Sequence, residues 1–389
     1  TTPPTPPKPT ELIPSWADQN ERNPNIETRI SLEEMIKQVK RTVREIFQGK
    51  TLKVEDKMRA FFPSTSANYI NSRKGAGAVG YILEHPTLLE GLRTPGGAFR
   101  FNTHTDEEEE ISEGIPEVGP EVQQRFNTLW ERLLKEATDK EMPIAIPIGL
   151  PEPLKVRVIT KGPPVLNTVL KGFQKFLHST LKRQGAFRLI NEPVTTEYLQ
   201  ERLGSKLKED QAFLSGDYSD ATNKLNGILS ETAMFEIGRV CHFTEKETAL
   251  CTRALTRHIL EHQGSQKKQK TGQLMGSIIS FPILCVVNAA IGRWALEIDN
   301  DKTILVQDAL MAINGDDIIM KCGALGRKAW NAIAKISGME ESVGKTYYSR
   351  EFCNMNSTSF LYQPENPEKV WRTHPKTQQP VQREIVFRM

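Results

Sequence analysis

Apolar residues recur with a helical period in some stretches of this chain and with a strand period in others. Between Ser31 and Gln48, the residues Leu32, Met35, Ile36, Val39, Val43 and Ile46 share one helical face. Ser31 can cap that helix, with Glu34 three residues on. A second helix is expected over Val122 to Ala137. From Lys155, "KVRVIT" alternates as a strand does, and "LNTVLKGFQKFLHSTLKR" reads as a basic amphipathic helix. "QAFLSGDY" predicts a strand ending in an acid, followed by a helix to about Val240. "SFPILCVVNAAIGRWALEI" predicts a long apolar helix with Ser280 as N-cap and Pro282 in its first turn. "ALMAINGDDIIMKC" predicts a β-hairpin, because Asn-Gly between apolar runs is a strong turn signal. "ALGRKAWNAIAKIS" predicts a helix closed by Gly338, and "KTYYSREF" and "STSFLY" two more strands. The order lacks strict strand-helix-strand repetition, so an α+β fold is expected.

With 389 residues the chain can form one large domain or two to three ordinary ones. Hydrophobic residues make up 38% and charged residues 25%, as in soluble globular proteins. The stretch 1–30 is Pro-rich and polar, and is expected to be a disordered tail. The chain opens without a Met, which suits a fragment or a processed product. The most apolar run, Ile278 to Ile298, contains Pro282, Asn288 and Arg293, so a buried helix is expected rather than a transmembrane segment. Five cysteines without a C-x-x-C pair argue for a reducing compartment, against both a disulfide framework and a zinc knuckle.

A net charge of +3 diagnoses no partner, but its distribution is uneven. From Leu154 to Asn191 there are eight Lys or Arg and no Asp or Glu. The opposite bias, Thr105 to Glu113, reads as a solvated acidic loop. The cations Lys171, Lys175, Lys182 and Arg183 of this helix either contact nucleic acid or form a solvated face. Lys267, Lys268 and Lys270 read as mobile loop charges or as a template contact.

The candidate chemistry lies in acids. Asp316 and Asp317 occupy the predicted hairpin, and Asp217 ends another apolar strand. Alone, two acids at a turn suit hydration. Brought beside Asp217 they repel one another unless cations neutralise them. Carboxylate oxygens that leave room for water and phosphate suit Mg²⁺ or Mn²⁺, and two such ions support in-line phosphoryl transfer. Lys155, Arg157 and Lys161 share strand parity, which suits a triphosphate or equally a charged edge strand. Gly272, Gly276, Ser277 and Ser280 precede the long helix; glycines admit close backbone approach, and hydroxyls can bond a ribose or base.

Taken in order, "KVRVITKG", "GDYSDATN", "GQLMGSIISFPILCVVN", "NGDD", "VGKTYYS" and "EFCNMNSTSF" resemble motifs F, A, B, C, D and E of viral RNA-dependent RNA polymerases. The style is most similar to the ourmia-like and narna-like branch, including the botourmiaviruses of plants and fungi. The resemblance covers roughly Glu152 to Tyr362. It implies a right-hand architecture of fingers, palm and thumb, with an antiparallel-sheet palm. On that reading 31–150 is an N-terminal extension with fingers, and 151–210 is fingers with the basic entry segment. Residues 211–362 are palm with an inserted finger segment at 241–271. Residues 363–389 begin a thumb or tail, so the thumb is expected to be short or truncated.

The resemblance implies metal binding by Asp217 and Asp316, with Asp317 assisting. It implies triphosphate binding by Arg157 with Lys155 and Lys161. Lys345 falls at the motif D lysine, which protonates the leaving pyrophosphate. Asn223 stands where many relatives have a second Asp that senses the ribose 2′-hydroxyl. Asp220 is an extra ligand or a helix cap. Asn288 either supports the nucleotide site or makes a structural hydrogen bond. The implied partners are ribonucleoside triphosphates, the RNA template and the nascent RNA strand, with viral or host replication factors as further candidates. The implied activity is replication and transcription of a positive-strand genome in the host cytoplasm; mitochondrial replication occurs in related lineages. A reverse transcriptase, a metal-dependent nuclease and a catalytically incompetent RNA-binding remnant are the rival readings.

Overall fold

The computed structural model describes residues 30–61, 63–92, 120–139, 142–152, 155–190, 192–373 and 378–389. The Pro-rich tail, apart from Ile30, and the acidic loop lie outside them. Helices and mostly antiparallel strands mix as an α+β fold predicts. At the centre is a four-stranded antiparallel sheet in the order Tyr347–Ser349, Gln211–Gly216, Asp317–Gly323, Met311–Asn314.

Both faces of this sheet are buried, which is why its two long strands read as nearly continuous apolar runs. Leu214, Met311, Ile313, Ile318 and Met320 join the main core. The alternate residues Phe213, Ala312 and Ile319 join a second core with Cys353, Phe360 and Phe387. The second core is closed by a sheet of Phe352–Met355, Thr358–Tyr362 and Phe387–Arg388. Within 363–389, where a thumb or tail was expected, Phe387–Arg388 thus return to the body after a hairpin of Glu368–Thr373 with Pro380–Ile385.

The main core is organised by the helix Ser280–Asn300, which packs on the sheet and on the helices Leu32–Phe47, Gly227–Val240 and Ala324–Ile336. By length and apolarity alone this helix could span a bilayer, but 83% of its most apolar window is buried inside the protein. Its start differs from expectation. The segment before it is already turned, with Ser277 N–H bonded to Leu274 O, so Ile279 occupies the cap position without a side-chain bond. Ser280 lies inside the helix and its Oγ donates to Leu274 O at 2.8 Å. The first helix is capped as read, Ser31 Oγ accepting from Glu34 N–H.

The first helix is held to the central helix by a buried ionic network. Arg293 is fully buried. It donates to Glu297 Oε1 at 3.1 Å, Gln38 Oε1 at 2.8 Å and Thr42 Oγ1 at 3.1 Å. Arg41 donates to the same Glu297 oxygen at 2.8 Å and to Glu45 at 2.9 Å. Residues 30–47 therefore belong to the same core as the sheet.

A second four-stranded sheet, in the order Lys155–Lys161, Ile144–Glu152, Ile259–His262, Ser265–Lys268, lies over the loop before the central helix. The expected boundary at 150/151 falls inside its first hairpin, where Leu150 pairs with Arg157. Residues from the expected 241–271 insertion supply its other two strands.

Truncating Arg293 leaves buried acceptors without their charged partner. Arg293→Ala is expected to lower stability by about 3 kcal/mol or more, measured as the shift of the urea midpoint at constant slope.

Candidate active site

The acidic residues meet at one end of the central sheet. Gly216 pairs with Ile318 across two antiparallel strands, so the next residue on each brings Asp217 level with Asp317, beside Asp316. The hairpin forms as predicted, but its loop is shifted by one residue: Asn314 pairs with Asp317, and Gly315 and Asp316 make the turn. Gly315 takes φ +71°, a conformation that costs glycine least. A Cβ there would also lie 3.0 Å from the ring of Phe281.

The turn is held from behind by a side chain the chain supplies elsewhere. Asn288, fully buried on the central helix, donates to Gly315 O at 3.1 Å and to Asp316 O at 2.9 Å. Its Oδ1 accepts from Tyr218 OH at 2.8 Å, and Trp330 Nε1 donates to that same hydroxyl at 2.9 Å. Asn288 thus acts on the acidic turn from inside the core, the structural branch of the reading its sequence left open. Cys285 Sγ accepts from Gly315 N–H at 3.2 Å.

Asp217 and Asp317 are clamped from two further loops. Asp217 O accepts from Ser342 N–H at 2.8 Å and from Thr346 Oγ1 at 3.0 Å. That loop carries Lys345, whose Nζ is 3.9 Å from Asp217 Oδ2 and largely exposed. Asp317 Oδ2 accepts from Asn356 N–H at 3.2 Å, and Asn356 Oδ1 accepts from Asn314 Nδ2 at 2.9 Å.

Burial raises the Asp316 carboxyl above its ordinary range and Asp217 adds to the rise, opposed by its own backbone N–H, Arg157 and Lys345. Burial, then the charges of Asp316 and Asp217, push Asp317 up to about 6. These are acids crowded where negative charge is unfavourable. Among the described residues no group of three His, Cys, Asp or Glu side chains is placed to hold a metal ion. By donor chemistry alone, the carboxylates of Asp217, Asp316 and Asp317 suit hard ions such as Mg²⁺ or Mn²⁺, which keep positions for water and phosphate.

The basic strand reaches the site unevenly. Arg157 acts electrostatically on Asp316. Lys161 is half-buried at the inner end of its strand. Lys155 starts that strand opposite Glu152, about 20 Å along it from Lys161 at ordinary strand rise.

The loop before the central helix is packed against both sides of the site. Gly276 N–H donates to Thr160 Oγ1 at 3.1 Å, and a Cβ on Gly276 would overlap Thr160 O. A Cβ on Gly272 would overlap the Asn223 backbone. Ser277 Oγ is buried without a hydrogen-bond partner. Asn223 is exposed and donates to Asp220 Oδ1 at 2.7 Å. Asp220 stands at the cap position of the short helix Ala221–Lys224 but makes no cap bond. Tyr218, Trp330, Thr346, Asn356 and Thr160 escaped the sequence reading. Only Tyr218 carried a signal, as the neighbour of Asp217.

No family model matches the chain. It is 29% identical to the RNA-dependent RNA polymerase of Ourmia melon virus (isolate Melon/Iran/VE9) over an alignment of 361 residues. The chain resembles the ourmia-like viral RNA-dependent RNA polymerases. That alignment covers 84% of this chain and 39% of the viral protein, so the chain spans about two fifths of its relative's length. Among solved structures it is similar to the polymerase of a human picorbirnavirus. An insertion-loop deletion mutant of that enzyme matches at 17% identity and a TM-score of 0.47, over 56% of this chain and 44% of the other. The undeleted enzyme matches at 16% and 0.45, over 55% and 42%.

Two predictions follow from the geometry of the turn. Asn288→Leu keeps the volume but strands two carbonyls and a hydroxyl, and should cost about 2–3 kcal/mol in denaturant titrations. The second concerns pH. Asp317 binds its proton more tightly folded than unfolded, so the stabilisation is present at low pH and is lost as pH rises to about 6. In metal-free buffer, stability should therefore fall between about pH 4 and 6, by on the order of 1–2 kcal/mol for a partly exposed group. Asp317→Asn should shrink that fall to the part contributed by Asp316, whose carboxyl burial also raises. Urea midpoints across the range decide it, and an identical decline in the variant would exclude Asp317 as its source.

Proposed function

We propose that the chain is the catalytic part of an RNA-directed RNA polymerase. It adds ribonucleoside monophosphates to an RNA 3′ end on an RNA template, in replication and transcription of a positive-strand viral genome. The observation that carries this reading is the convergence of Asp217 with the Asp316–Asp317 turn, under the positive charge of Arg157 and Lys345. The viral relative supports it from the sequence side.

In the right-hand description, the central sheet and the helices behind it form the palm, and the sheet carrying Arg157 belongs to the fingers. Asp217 and Asp316 would hold Mg²⁺ or Mn²⁺, with Asp317 assisting. When bound, such ions lower the pKa of the attacking 3′-hydroxyl and neutralise the departing pyrophosphate. Arg157, with Lys155 and Lys161, binds the triphosphate. Ser277 Oγ, with no protein partner, is available to the sugar or base, and Asn223 lies on the neighbouring short helix. The Gly276 backbone lets the loop bearing Ser277 lie against the basic strand. Lys345, exposed beside Asp217, donates the proton to the leaving pyrophosphate. Positioning and charge stabilisation are most of what the protein contributes to such a transfer. A reducing host compartment, the cytoplasm, is the proposed location; five free, buried thiols support it.

Labelled NTP incorporation on a primed RNA template with Mg²⁺ or Mn²⁺ tests the reading. The native chain should elongate, and Asp316→Ala/Asp317→Ala should reduce synthesis by at least about 10³-fold while RNA binding persists. Arg157→Ala should mainly raise the KM for NTP. Equal synthesis by the native and double-variant chains would exclude the acids from catalysis. Preference for dNTPs would favour a reverse transcriptase.

A further inference from the structure

We propose that the buried side chain of Gln269 is the positioning residue for sugar selection: it sets the loop of residues 271–277, and His258 holds it in place. This rests on the polymerase reading and names what fixes the specificity of that nucleotide site. Gln269 follows the strand Ser265–Lys268 and is buried, while its neighbours Lys268 and Lys270 are exposed. Its Nε2 donates to Leu255 O and Gly272 O, both at 3.1 Å, and lies 3.4 Å from Thr271 O. Carbonyl oxygens only accept, so they fix which end of the amide faces them. Gln269 Oε1 then meets His258 Nδ1 at 3.3 Å, and Gln269 N–H donates to His258 O at 2.9 Å. His258 is 1% exposed. Burial pushes its pKa down to about 4, against the bond to Gln269. The ring is therefore neutral near pH 7, and facing an acceptor it carries its proton on Nδ1.

The loop held this way carries both groups offered to the sugar. On one side Gly272 N–H donates to Leu225 O at 2.8 Å, Gln273 N–H to Thr222 O at 2.7 Å and Thr271 Oγ1 to Asn223 O at 3.1 Å. These bonds fasten the loop to the short helix that bears Asn223. On the other side Leu274 N–H donates to Leu255 O at 3.3 Å, and Leu274 O accepts from Ser277 N–H at 3.1 Å. Leu255 O thus receives both Gln269 and Leu274, and Leu255 itself is core, near the end of the helix Glu245–Thr256. Asn223 and the unpartnered Ser277 hydroxyl therefore hang from one segment, whose placement against the core is set by Gln269. The loop contains Gly272 and Gly276, so without that amide many other conformations are open to it. A satisfied buried network selects one of them, because each alternative leaves a polar group unpaired. Telling ribose from deoxyribose is a difference of bonds to one hydroxyl, so it depends on where these groups are held.

The test compares the native chain with Gln269→Met, which keeps the volume and removes the donors, by amide hydrogen exchange and by primed incorporation of NTP and dNTP. Exchange at Gly272, Gln273, Leu274 and Ser277 should rise about tenfold or more, with the central sheet unchanged. The KM for NTP should rise, and the preference for NTP over dNTP in kcat/KM should fall about tenfold, while kcat at saturating NTP changes by less than about twofold. A merely structural role would loosen sheet and loop together and leave the sugar preference alone. His258→Leu, which removes only the donor to the Gln269 oxygen, should move loop exchange and sugar preference the same way by a smaller factor. It decides the matter if Gln269→Met does not fold. Unchanged loop exchange in the folded variant, or a loosened loop with unaltered sugar preference, overturns the proposal. A native chain that incorporates neither NTP nor dNTP refutes the polymerase reading instead, and loop exchange alone then decides whether Gln269 positions the loop.

Discussion

Everything at the acidic edge depends on one buried amide. Two adjacent aspartates at a hairpin tip repel each other and Asp217, and burial sharpens that repulsion. A turn under such strain keeps its geometry only if its backbone is held. Asn288 holds it at two carbonyls from within the core, and Tyr218 and Trp330 fix Asn288 in turn. A buried network of this kind is rigid because every alternative leaves a polar group unpaired. It also links four parts of the chain: the strand after Asp217, the central helix, the acidic hairpin and the helix Ala324–Ile336.

The rest of the architecture serves that rigidity. The central sheet is packed on both faces, so its strands cannot slip by one residue without exchanging one core for the other. The central helix, which supplies Asn288, Cys285 and Phe281 to the turn, is itself anchored to the first helix through Arg293. Two glycines let the loop before that helix lie directly against the basic strand and the short helix bearing Asn223. The open edge of carboxylates stays accessible while everything behind it is close-packed.

Much of this was legible in the sequence, for local reasons. The strand ending at Asp217, the hairpin around Asn314 and Gly315, the basic strand and the apolar central helix all have periodicity or turn chemistry that declares itself over ten or twenty residues. The errors were local too. The hairpin loop fell one residue beyond the Asn-Gly signal, and Ser280 lay inside the helix rather than at its cap, because a preceding turn already fed the chain into helical geometry. The strand that carries Lys155, Arg157 and Lys161 formed where the alternation placed it.

The sequence by itself determined which residue types were available for phosphate and metal chemistry, their order, and the α+β character of the chain. These follow from short-range patterns and charge. Only the tertiary structure decided which acids stand side by side, that Asn288 faces the turn rather than the surface, and that Trp330 and Tyr218 complete its bonding. Those partners are separated by 70 and 112 positions along the chain. No local periodicity encodes contacts of that separation; they arise only when packing closes the helices onto the sheet.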